Sequence, residues 1–243
     1  MPHRNARRAP WRDEGFTLIE LAIVLFVVTL LLGGVLTPLG QQIAERQGGE
    51  TRRAMETART ALVGYALAHR EARGGGRLPC PDLRAPAIGG TANDGLEDRK
   101  DTGACLTLAG NLPWITLGLA DGDAWGNRLG YAVAESWSSA SGPGADTSQL
   151  LQVCADLRCE HPMAAAAILI SHGRNGFGAL NAAGNGNLPP SNGEEQENIN
   201  GDGRFIRHPP RASDRAGGEF DDLVEPISAD WLRGRLCDPA SLC

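Results

Sequence analysis

The sequence predicts an α+β protein in which one long N-terminal helix precedes a domain of strands and long loops. Residues 16–36 are mostly apolar, and Glu20 is their only ionisable residue, which favours a continuous helix. Apolar residues then recur at three- and four-residue steps across residues 55–65, as they do on one face of an amphipathic helix. Further along, short β-branched segments alternate with Gly, Asn and Asp, which indicates strands joined by turns.

The apolar segment is long enough to cross a bilayer. At about 1.5 Å per residue, a helix over residues 16–36 spans the ~30 Å hydrocarbon core. A buried helix of a soluble protein is the alternative, but such helices rarely continue for so long without a polar stripe. The sequence therefore predicts a transmembrane helix.

The short segment before this helix is basic. Residues 1–15 contain four arginines and two acidic residues, namely Arg4, Arg7, Arg8, Arg12, Asp13 and Glu14. Positive residues tend to remain in the cytoplasm, and acidic residues count little in that rule. We therefore expect a single-pass membrane protein with a cytoplasmic N-terminus and the rest of the chain outside; the family resemblance described next implies that the membrane is the inner membrane and that the C-terminal domain is periplasmic.

The residues around the start of the helix resemble a known processing site. "G-FTLIEL", preceded by a basic leader, is similar to the cleavage site of type IV prepilins and type II secretion pseudopilins. In that family a membrane-embedded prepilin peptidase cuts after the glycine and methylates the new N-terminus. The resemblance implies cleavage after Gly15, N-methylation of Phe16 and an assembly role for Glu20. It also implies a pilin-like fold, with the long helix packed on an antiparallel β-sheet.

Placing the Glu20 carboxylate inside a membrane costs free energy, so we expect an interaction that offsets this cost. An acidic residue at mid-bilayer costs ~2.5–3.5 kcal/mol on insertion scales, and such residues usually have a partner. Cleavage would create one, the free amine of Phe16. The resemblance implies that Glu20 of an incoming subunit meets this amine on its neighbour; a Glu that merely snorkels to the interface is the alternative.

A second resemblance lies in the middle of the chain. "DGDAWGNRLGY" is similar to the D-P-W-G-N-x-x-x-Y stretch of major pseudopilins, and the residues that match are Asp123, Trp125, Gly126, Asn127 and Tyr131. Ala124 departs from the pattern, because proline is usual there. From the residues alone, Asp and Gly-Asn predict a turn before a strand, with Trp125 anchored in the core.

Three regions follow from these observations. Residues 1–15 form the leader, residues 16–70 form a helix with a transmembrane half and an amphipathic half, and residues 77–243 form an exported globular domain. The helix should end where "REARGGGR" brings three consecutive glycines. Within the globular domain, residues 164–173 predict a buried strand and residues 229–236 a short helix. Residues 173–218 hold ten Gly and seven Asn and predict a long exposed loop.

Six cysteines lie in the exported region. An even number in such a compartment favours disulfides. Of fifteen possible connectivities, proximity favours Cys80–Cys105, Cys154–Cys159 and Cys237–Cys243. A zinc site at Cys154, Cys159 and His161 is the alternative, but C-x4-C-x-H is poor ligand spacing.

One segment of the long loop resembles the first half of a calcium loop. In "NINGDGRFI", Asn198, Asn200 and Asp202 offer oxygen ligands at alternate positions before a glycine. The acid at the twelfth position is missing, although Asp221 or Asp222 could supply it from beyond the loop. Because several major pseudopilins bind calcium in a C-terminal loop, we expect either a calcium site here or a solvated turn; no other cofactor is expected.

The net charge, the aromatic content and the missing catalytic motifs favour a role in assembly over nucleic-acid binding or catalysis. The net charge is −6 and aromatic residues make up 5%, so no basic, aromatic-rich surface for nucleic acid is expected. Phosphate-loop, zinc-protease and G-x-S-x-G motifs are missing, and Ser171 and His172 are interpreted as a surface pair at a strand end.

The sequence thus predicts a pilin-like structural subunit of a type II secretion pseudopilus or a type IV pilus, and not an enzyme. Its expected partners are the prepilin peptidase, other pilin or pseudopilin subunits and an inner-membrane assembly platform. A membrane-anchored enzyme or binding protein, with the helix as anchor only, is the alternative.

Overall fold

The computed structural model describes residues 17–70, 76–139 and 149–236, and at helix positions 34–39 it describes the backbone alone. The chain divides into two compact units, residues 1–45 and residues 46–243. The leader, Gly15, Phe16, Cys237 and Cys243 lie outside the described residues.

Helix α1 runs from Leu18 to Ala68 and confirms the long helix that the sequence predicts. In the first unit its described side chains are exposed apart from the partly buried Ala44, and in the second unit the helix buries one face. In that second stretch Met55, Ala58, Leu62 and Ala66 are buried, as their helical spacing predicts.

No helix in the described part of the chain is both long and apolar enough to cross a membrane.

The described residues of the second unit contain a six-stranded sheet. The strands are β1 (Ala109–Asn111), β2 (Gly130–Val133), β3 (Leu151–Cys154), β4 (Met163–Ser171), β5 (Arg204–Ile206) and β6 (Leu223–Ser228). Their order is β1-β2-β4-β3-β5, and β6 pairs with the other edge of the central strand β4. Four short helices complete the unit: α2 (Trp114–Leu117), α3 (Glu135–Ser138), α4 (Gly193–Glu197) and α5 (Ala229–Leu236).

The sheet is mixed rather than wholly antiparallel. Every pair of strands is antiparallel except β3 and β5, which are parallel. A parallel pair needs a long crossover, and here β4 and the polar segment after it provide that connection. The α+β, pilin-like fold class is confirmed, with this one departure from an antiparallel sheet.

The core lies between the second stretch of α1 and the sheet. Leu62, Tyr131, Trp137 and Ile168 are almost completely buried and belong to one apolar cluster. Strand β4 is buried from Ala165 onward, as predicted for residues 164–173, because it has neighbours along both edges and a helix over one face.

The structure pairs Cys80 with Cys105 and Cys154 with Cys159, the two pairings that proximity favours within the described residues. Their Cα atoms are 5.3 and 4.9 Å apart. The first disulfide closes the loop segment that follows α1, and the second closes the turn after β3.

The prediction of a wholly exposed loop at residues 173–218 is wrong. This segment contains α4 and β5, and it buries Glu195, Asn198, Phe205 and Ile206. Glycine and asparagine supply its tight turns, while side-chain to backbone hydrogen bonds take the place of an apolar core.

Candidate functional sites: the N-terminal segment and a buried carboxylate cluster

The first candidate site is the start of α1, where Thr17 and Glu20 cap the helix. The Glu20 backbone N–H donates to Thr17 Oγ1 over 3.3 Å, and the Thr17 N–H donates to Glu20 Oε2 over 3.4 Å. This reciprocal pair is a capping box, which satisfies two N–H groups that a helix start leaves open. Within its own chain, therefore, the carboxylate of Glu20 already has a partner.

Sequence reasoning missed this local role of Glu20. The spacing T-x-x-E before an apolar run is the standard signature of a capping box, so the signal was present. It was overlooked because the same glutamate also fits the processing motif.

The helix segment that follows exposes its apolar side chains on every side. Its large apolar residues are between 43% and 89% exposed: Leu18, Ile19, Leu21, Ile23, Val24, Leu25, Phe26, Val27, Val28, Leu30, Leu31 and Leu32. Because consecutive residues are rotated by about 100° around a helix, this run covers the whole circumference. Contiguous apolar surface of this extent marks a site of contact with a membrane or with other protein.

The segment similar to the major-pseudopilin turn is organised by Asp123. Its Oδ1 accepts hydrogen bonds from the backbone N–H groups of Trp125 and Asn127, both over 3.0 Å. Its Oδ2 accepts from Ser171 Oγ over 2.6 Å, which ties the turn to the end of β4. Burial raises the pKa of Asp123, and these hydrogen bonds act against that rise.

The same turn contacts α1 within the second unit. The Ala124 N–H donates to Thr51 Oγ1 over 3.2 Å, and Gln47 Nε2 donates to the Ala124 carbonyl over 3.2 Å. Trp125, however, is only partly buried, so the prediction that it anchors the core is wrong. Trp137 takes that place, because it lies on α3 directly above the sheet core.

The interpretation of Ser171 and His172 as a surface pair is also wrong, because both are buried. His172 Nδ1 lies 3.3 Å from Asp222 Oδ1, an acid that the sequence had not placed beside the imidazole. The Ser171 hydroxyl instead donates to Asp123. The two side chains are therefore engaged by separate acids, Ser171 by Asp123 and His172 by Asp222.

Each predicted calcium residue has a side-chain oxygen that accepts a backbone hydrogen bond. Asn198 is buried, and its Oδ1 accepts from the Ile206 N–H while its amide donates to Asp222. Asn200 Oδ1 accepts from the Asp202 N–H, and Asp202 Oδ1 accepts from the Arg204 N–H. These three hydrogen bonds stabilise the segment, and the calcium site at Asn198, Asn200 and Asp202 stays a prediction.

A different group of acids does come together. Carboxylate oxygens of Glu195, Asp221 and Asp222 all lie within 4.8 Å of one another. Glu195 and Asp222 are buried, with 1% and 3% of their surface exposed, and Asp221 is partly buried. We refer to these three residues as the carboxylate cluster; their ligand atoms could hold a cation.

The surroundings of the carboxylate cluster disfavour the charged form of its carboxyl groups. Burial, together with the charges of the neighbouring Glu195 and Asp222, raises the pKa of Asp221 to about 6. Burial likewise raises the pKa of Glu195, and the charge of Asp222 adds to the rise. Within the described residues the nearby arginines pair elsewhere, since Arg211 contacts Glu194 and Arg204 contacts Glu197, whereas His172 contacts Asp222 of the cluster.

Sequence reasoning named Asp221 and Asp222 only as accessories and missed Glu195 altogether. Glu195 lies in "GEEQE", where three glutamates of one short helix give no hint which of them joins Asp221 and Asp222. Only the fold shows that Glu195 points inward while Glu194 and Glu197 face arginines.

Comparison with known proteins gave one match. Residues 12–36 match the family model described as the prokaryotic N-terminal methylation motif. No curated protein and no solved structure matched the chain. The resemblance predicted from "G-FTLIEL" is thus confirmed over these residues, and it supports a precursor of the pilin-like or pseudopilin kind. The chain carries the cleavage and methylation motif of type IV pilins and pseudopilins at residues 12–36.

Proposed function

We propose that the chain is a structural subunit of a type II secretion pseudopilus or a type IV pilus. The observation that carries the proposal is the start of α1: its apolar side chains from Leu18 to Leu32 are exposed around the whole helix, with Glu20 as their one acidic neighbour. Such a surface is stable only when lipid or other apolar helices cover it. Before assembly the cover is the inner membrane, and in the fibre it is the helices of other subunits.

Processing by prepilin peptidase starts the cycle. The peptidase cleaves between Gly15 and Phe16 and methylates the new N-terminus, so that the basic leader is removed and a free amine remains. The leader holds the N-terminus in the cytoplasm, and the C-terminal domain lies in the periplasm. The two disulfides support this topology, because such bonds persist in an oxidising compartment.

Assembly then exchanges one partner of Glu20 for another. In the free subunit the carboxylate caps its own helix through the Thr17 N–H. When the subunit enters the fibre, the carboxylate meets the Phe16 amine of the adjoining subunit. In a low-dielectric surrounding a full cation attracts a carboxylate far more strongly than an amide N–H does, although desolvation offsets part of the gain. The exchange sets the axial register between subunits.

The chain contributes structure rather than catalysis in this proposal. The separate pairings of Ser171 with Asp123 and of His172 with Asp222 support this, because neither hydroxyl nor imidazole is placed to activate the other. The long segment between β4 and β6 suits a minor or tip subunit better than a repeating shaft subunit, since it enlarges the exported domain. The expected partners are the peptidase, other subunits and an inner-membrane assembly platform.

Replacement of the cleavage-site glycine tests the first step. In Gly15→Ala the peptidase should no longer process the chain, because a side chain at this position blocks the cleavage site. Intact-mass measurement on membrane extracts should then find residues 1–15 still attached. A variant of normally shortened mass would contradict the proposal.

Replacement of Glu20 tests the second step. Glu20→Val should be processed normally but should fail to enter fibres, as measured by the amount of the chain in sheared fibre fractions. Glu20→Gln is the informative control, because glutamine keeps the capping box but not the charge. If Glu20→Gln assembles like the wild type, the pairing with the Phe16 amine is not the reason for this residue.

A further inference from the structure

We infer that a cavity on the sheet binds a ligand with a terminal carboxylate on an apolar body, and that Arg84 binds the carboxylate. Every residue that lines the cavity belongs to the second unit, so the inference does not depend on processing or assembly. It goes beyond the proposed structural role, because it gives the globular unit a ligand.

The cavity lies on the side of the sheet that faces away from α1. Glu225 contacts Arg59 of α1 and stands opposite Leu169, so the side of the sheet with these residues faces α1. Ile170 follows Leu169 along β4 and pairs with Gly130 of β2. Because successive residues of a strand point to opposite faces, Ile170 and Gly130 belong to the other side, where the cavity lies.

Small residues of β1 and β2 leave room on this side. The cavity has a volume of about 250 Å³, and Ala109, Gly130 and Ala132 form part of its lining. Larger apolar residues complete the walls, namely Leu108, Ile170, Ile199 and Phe205. Since pockets for drug-sized ligands hold about 300–1,000 Å³, this cavity suits a single side chain or one end of a longer ligand.

A second, larger cavity continues the first. Its volume is about 510 Å³, and the lining residues that both cavities share are Leu108, Ala109, Ala132, Gly201 and Phe205. The two cavities therefore adjoin. Val133, Leu150 and Leu151 give the second cavity an apolar part of its own. A ligand whose end fills the smaller cavity can place the rest of its apolar body in the larger one.

Arg84 brings a positive charge to the smaller cavity. It is partly buried, its Nη2 donates to the Gly178 carbonyl, and no carboxylate of the described residues pairs with it. Arg99, Arg128 and Arg211 are also at least partly buried, and each of them contacts a carboxylate. Burial lowers the pKa of Arg84, because the guanidinium loses water without gaining a counter-ion.

The lining of the smaller cavity supplies no such counter-ion. Within the described part of the chain, no acidic side chain lines it, and Nε and Nη1 of Arg84 have no acceptor. A guanidinium binds a carboxylate through two parallel N–H···O bonds, which are stronger than bonds between neutral groups. A carboxylate is therefore the ligand group that matches Arg84.

His172 adds a hydrogen-bond acceptor to the same cavity. Its side chain is buried, and its Nδ1 lies 3.3 Å from Asp222 Oδ1. Because the carboxylate accepts, Nδ1 carries the hydrogen, and Nε2 of the neutral ring remains an acceptor. A Cβ added to Gly130 would lie 3.8 Å from this Nε2, so the atom faces the cavity.

The two polar groups together favour the C-terminus of a peptide over a free organic acid. The last residue of a peptide offers a carboxylate for Arg84 and a neighbouring amide N–H that can donate to His172 Nε2. A free alkanoic acid offers the carboxylate alone. Both carry the chemistry that Arg84 recognises, so the experiment includes one of each.

Calorimetric titration of the full-length chain in detergent micelles provides the first test. N-acetyl-Ala-Ala-Leu should bind about tenfold or more tightly than the same peptide with a C-terminal amide, because only the acid carries the charge. Hexanoate identifies the source of the carboxylate: weaker binding than the peptide acid supports a chain end, and equal or tighter binding supports a free acid. Failure of both acids to bind at up to ~10 mM, or equal binding of peptide acid and peptide amide, would overturn the inference.

A substitution of Arg84 locates the site. Arg84→Met keeps an apolar stem but removes the guanidinium, so this variant should bind the peptide acid about tenfold more weakly and the amide as before. It should unfold at the same or a higher temperature than the wild type, because a partly buried charge without a counter-ion is gone. Undiminished affinity for the acid in this variant would show that Arg84 is not the binding group.

The matched control is Arg174→Met, which removes an exposed arginine that lines neither cavity. It should bind the peptide acid as the wild type does. An equal loss of affinity in Arg174→Met and Arg84→Met would indicate an effect of net charge alone and contradict the assignment. The comparison of acid and amide uses the unaltered chain, so it decides the inference even if Arg84→Met does not fold.

Discussion

The start of α1 and the carboxylate cluster both hold side chains in an environment that does not suit them, but for opposite reasons. From Leu18 to Leu32, apolar side chains that favour burial are exposed. In the carboxylate cluster, oxygens that favour water or a counter-ion are buried. In both regions the subunit leaves groups in an environment that does not suit them: lipid or other apolar helices would suit the first group, and a nearby positive charge would suit the second.

The comparison also predicts which substitutions affect assembly and which affect stability. The described part of the first unit has no sheet or second helix against which α1 could pack, so substitutions there should change processing and assembly but not the unfolding of the globular unit. Substitutions in the second unit should do the reverse. The following predictions test this division.

The largest expected contrast lies between two leucines of the same helix. Leu62 is fully buried in the core, so Leu62→Ala should lower the free energy of unfolding by about 2–5 kcal/mol. Leu25 is 58% exposed, so Leu25→Ala should leave that free energy unchanged in detergent. Denaturant unfolding of both variants provides the measurement, and equal losses in the two variants would refute the division.

The disulfide that closes the longer loop should contribute more to stability. Cys80 and Cys105 are 25 residues apart, and replacing both by alanine should cost about 3–4 kcal/mol on the chain-entropy model. Cys154 and Cys159 are 5 residues apart, and their replacement should cost about 2 kcal/mol. Denaturant unfolding should rank the two double variants in this order, and neither should alter cleavage after Gly15.

Asp82 makes a pH-dependent contribution to the stability of the second unit. Burial raises its pKa to about 6, and its Oδ1 has no hydrogen-bond partner within the described residues. Because the folded state holds this proton more tightly than the unfolded chain does, the contribution of Asp82 is most favourable below about pH 4. It is lost as the pH rises through 6.

Asp82→Asn should abolish the loss of stability that ionisation of Asp82 causes as the pH rises through 6. Relative to the wild type, the variant should gain about 2 kcal/mol in the free energy of unfolding between pH 4 and pH 8. Unfolding curves recorded at both pH values give the difference. A difference between variant and wild type that does not change with pH would show that Asp82 ionises as it does in the unfolded chain.

The smallest effect should come from the capping box. Thr17→Ala removes the hydroxyl that accepts from the Glu20 N–H and should destabilise the first turn of α1 by about 1 kcal/mol. Hydrogen exchange of the amides in this turn should become faster in detergent. Thr17→Ser keeps the hydroxyl and should exchange at nearly the wild-type rate.

Much of the fold could be predicted from the sequence because its signals are local. The apolar run of residues 16–36, the spacing of Met55, Ala58 and Leu62, and the β-branched residues before Ser171 each predict one element, and the structure contains all three. The two described disulfides join cysteines that are close in sequence, so proximity was sufficient.

The rest depends on contacts that no local pattern contains. Glu195 and Asp221 meet only because α4 folds back beside the start of β6, and His172 meets Asp222 for the same reason. The parallel pairing of β3 with β5 likewise follows from a long polar segment whose composition predicts only turns. Asn198 looked like a metal ligand because its residue type and spacing fit, but its oxygen is engaged by the Ile206 N–H.

The most direct test of the central claim is the intact mass and N-terminal sequence of the chain isolated from its native host. The proposal predicts a mature protein that begins at Phe16, carries one methyl group on its amino terminus and lacks residues 1–15. A protein that retains all of residues 1–15 and carries no methyl group at Phe16 would contradict it.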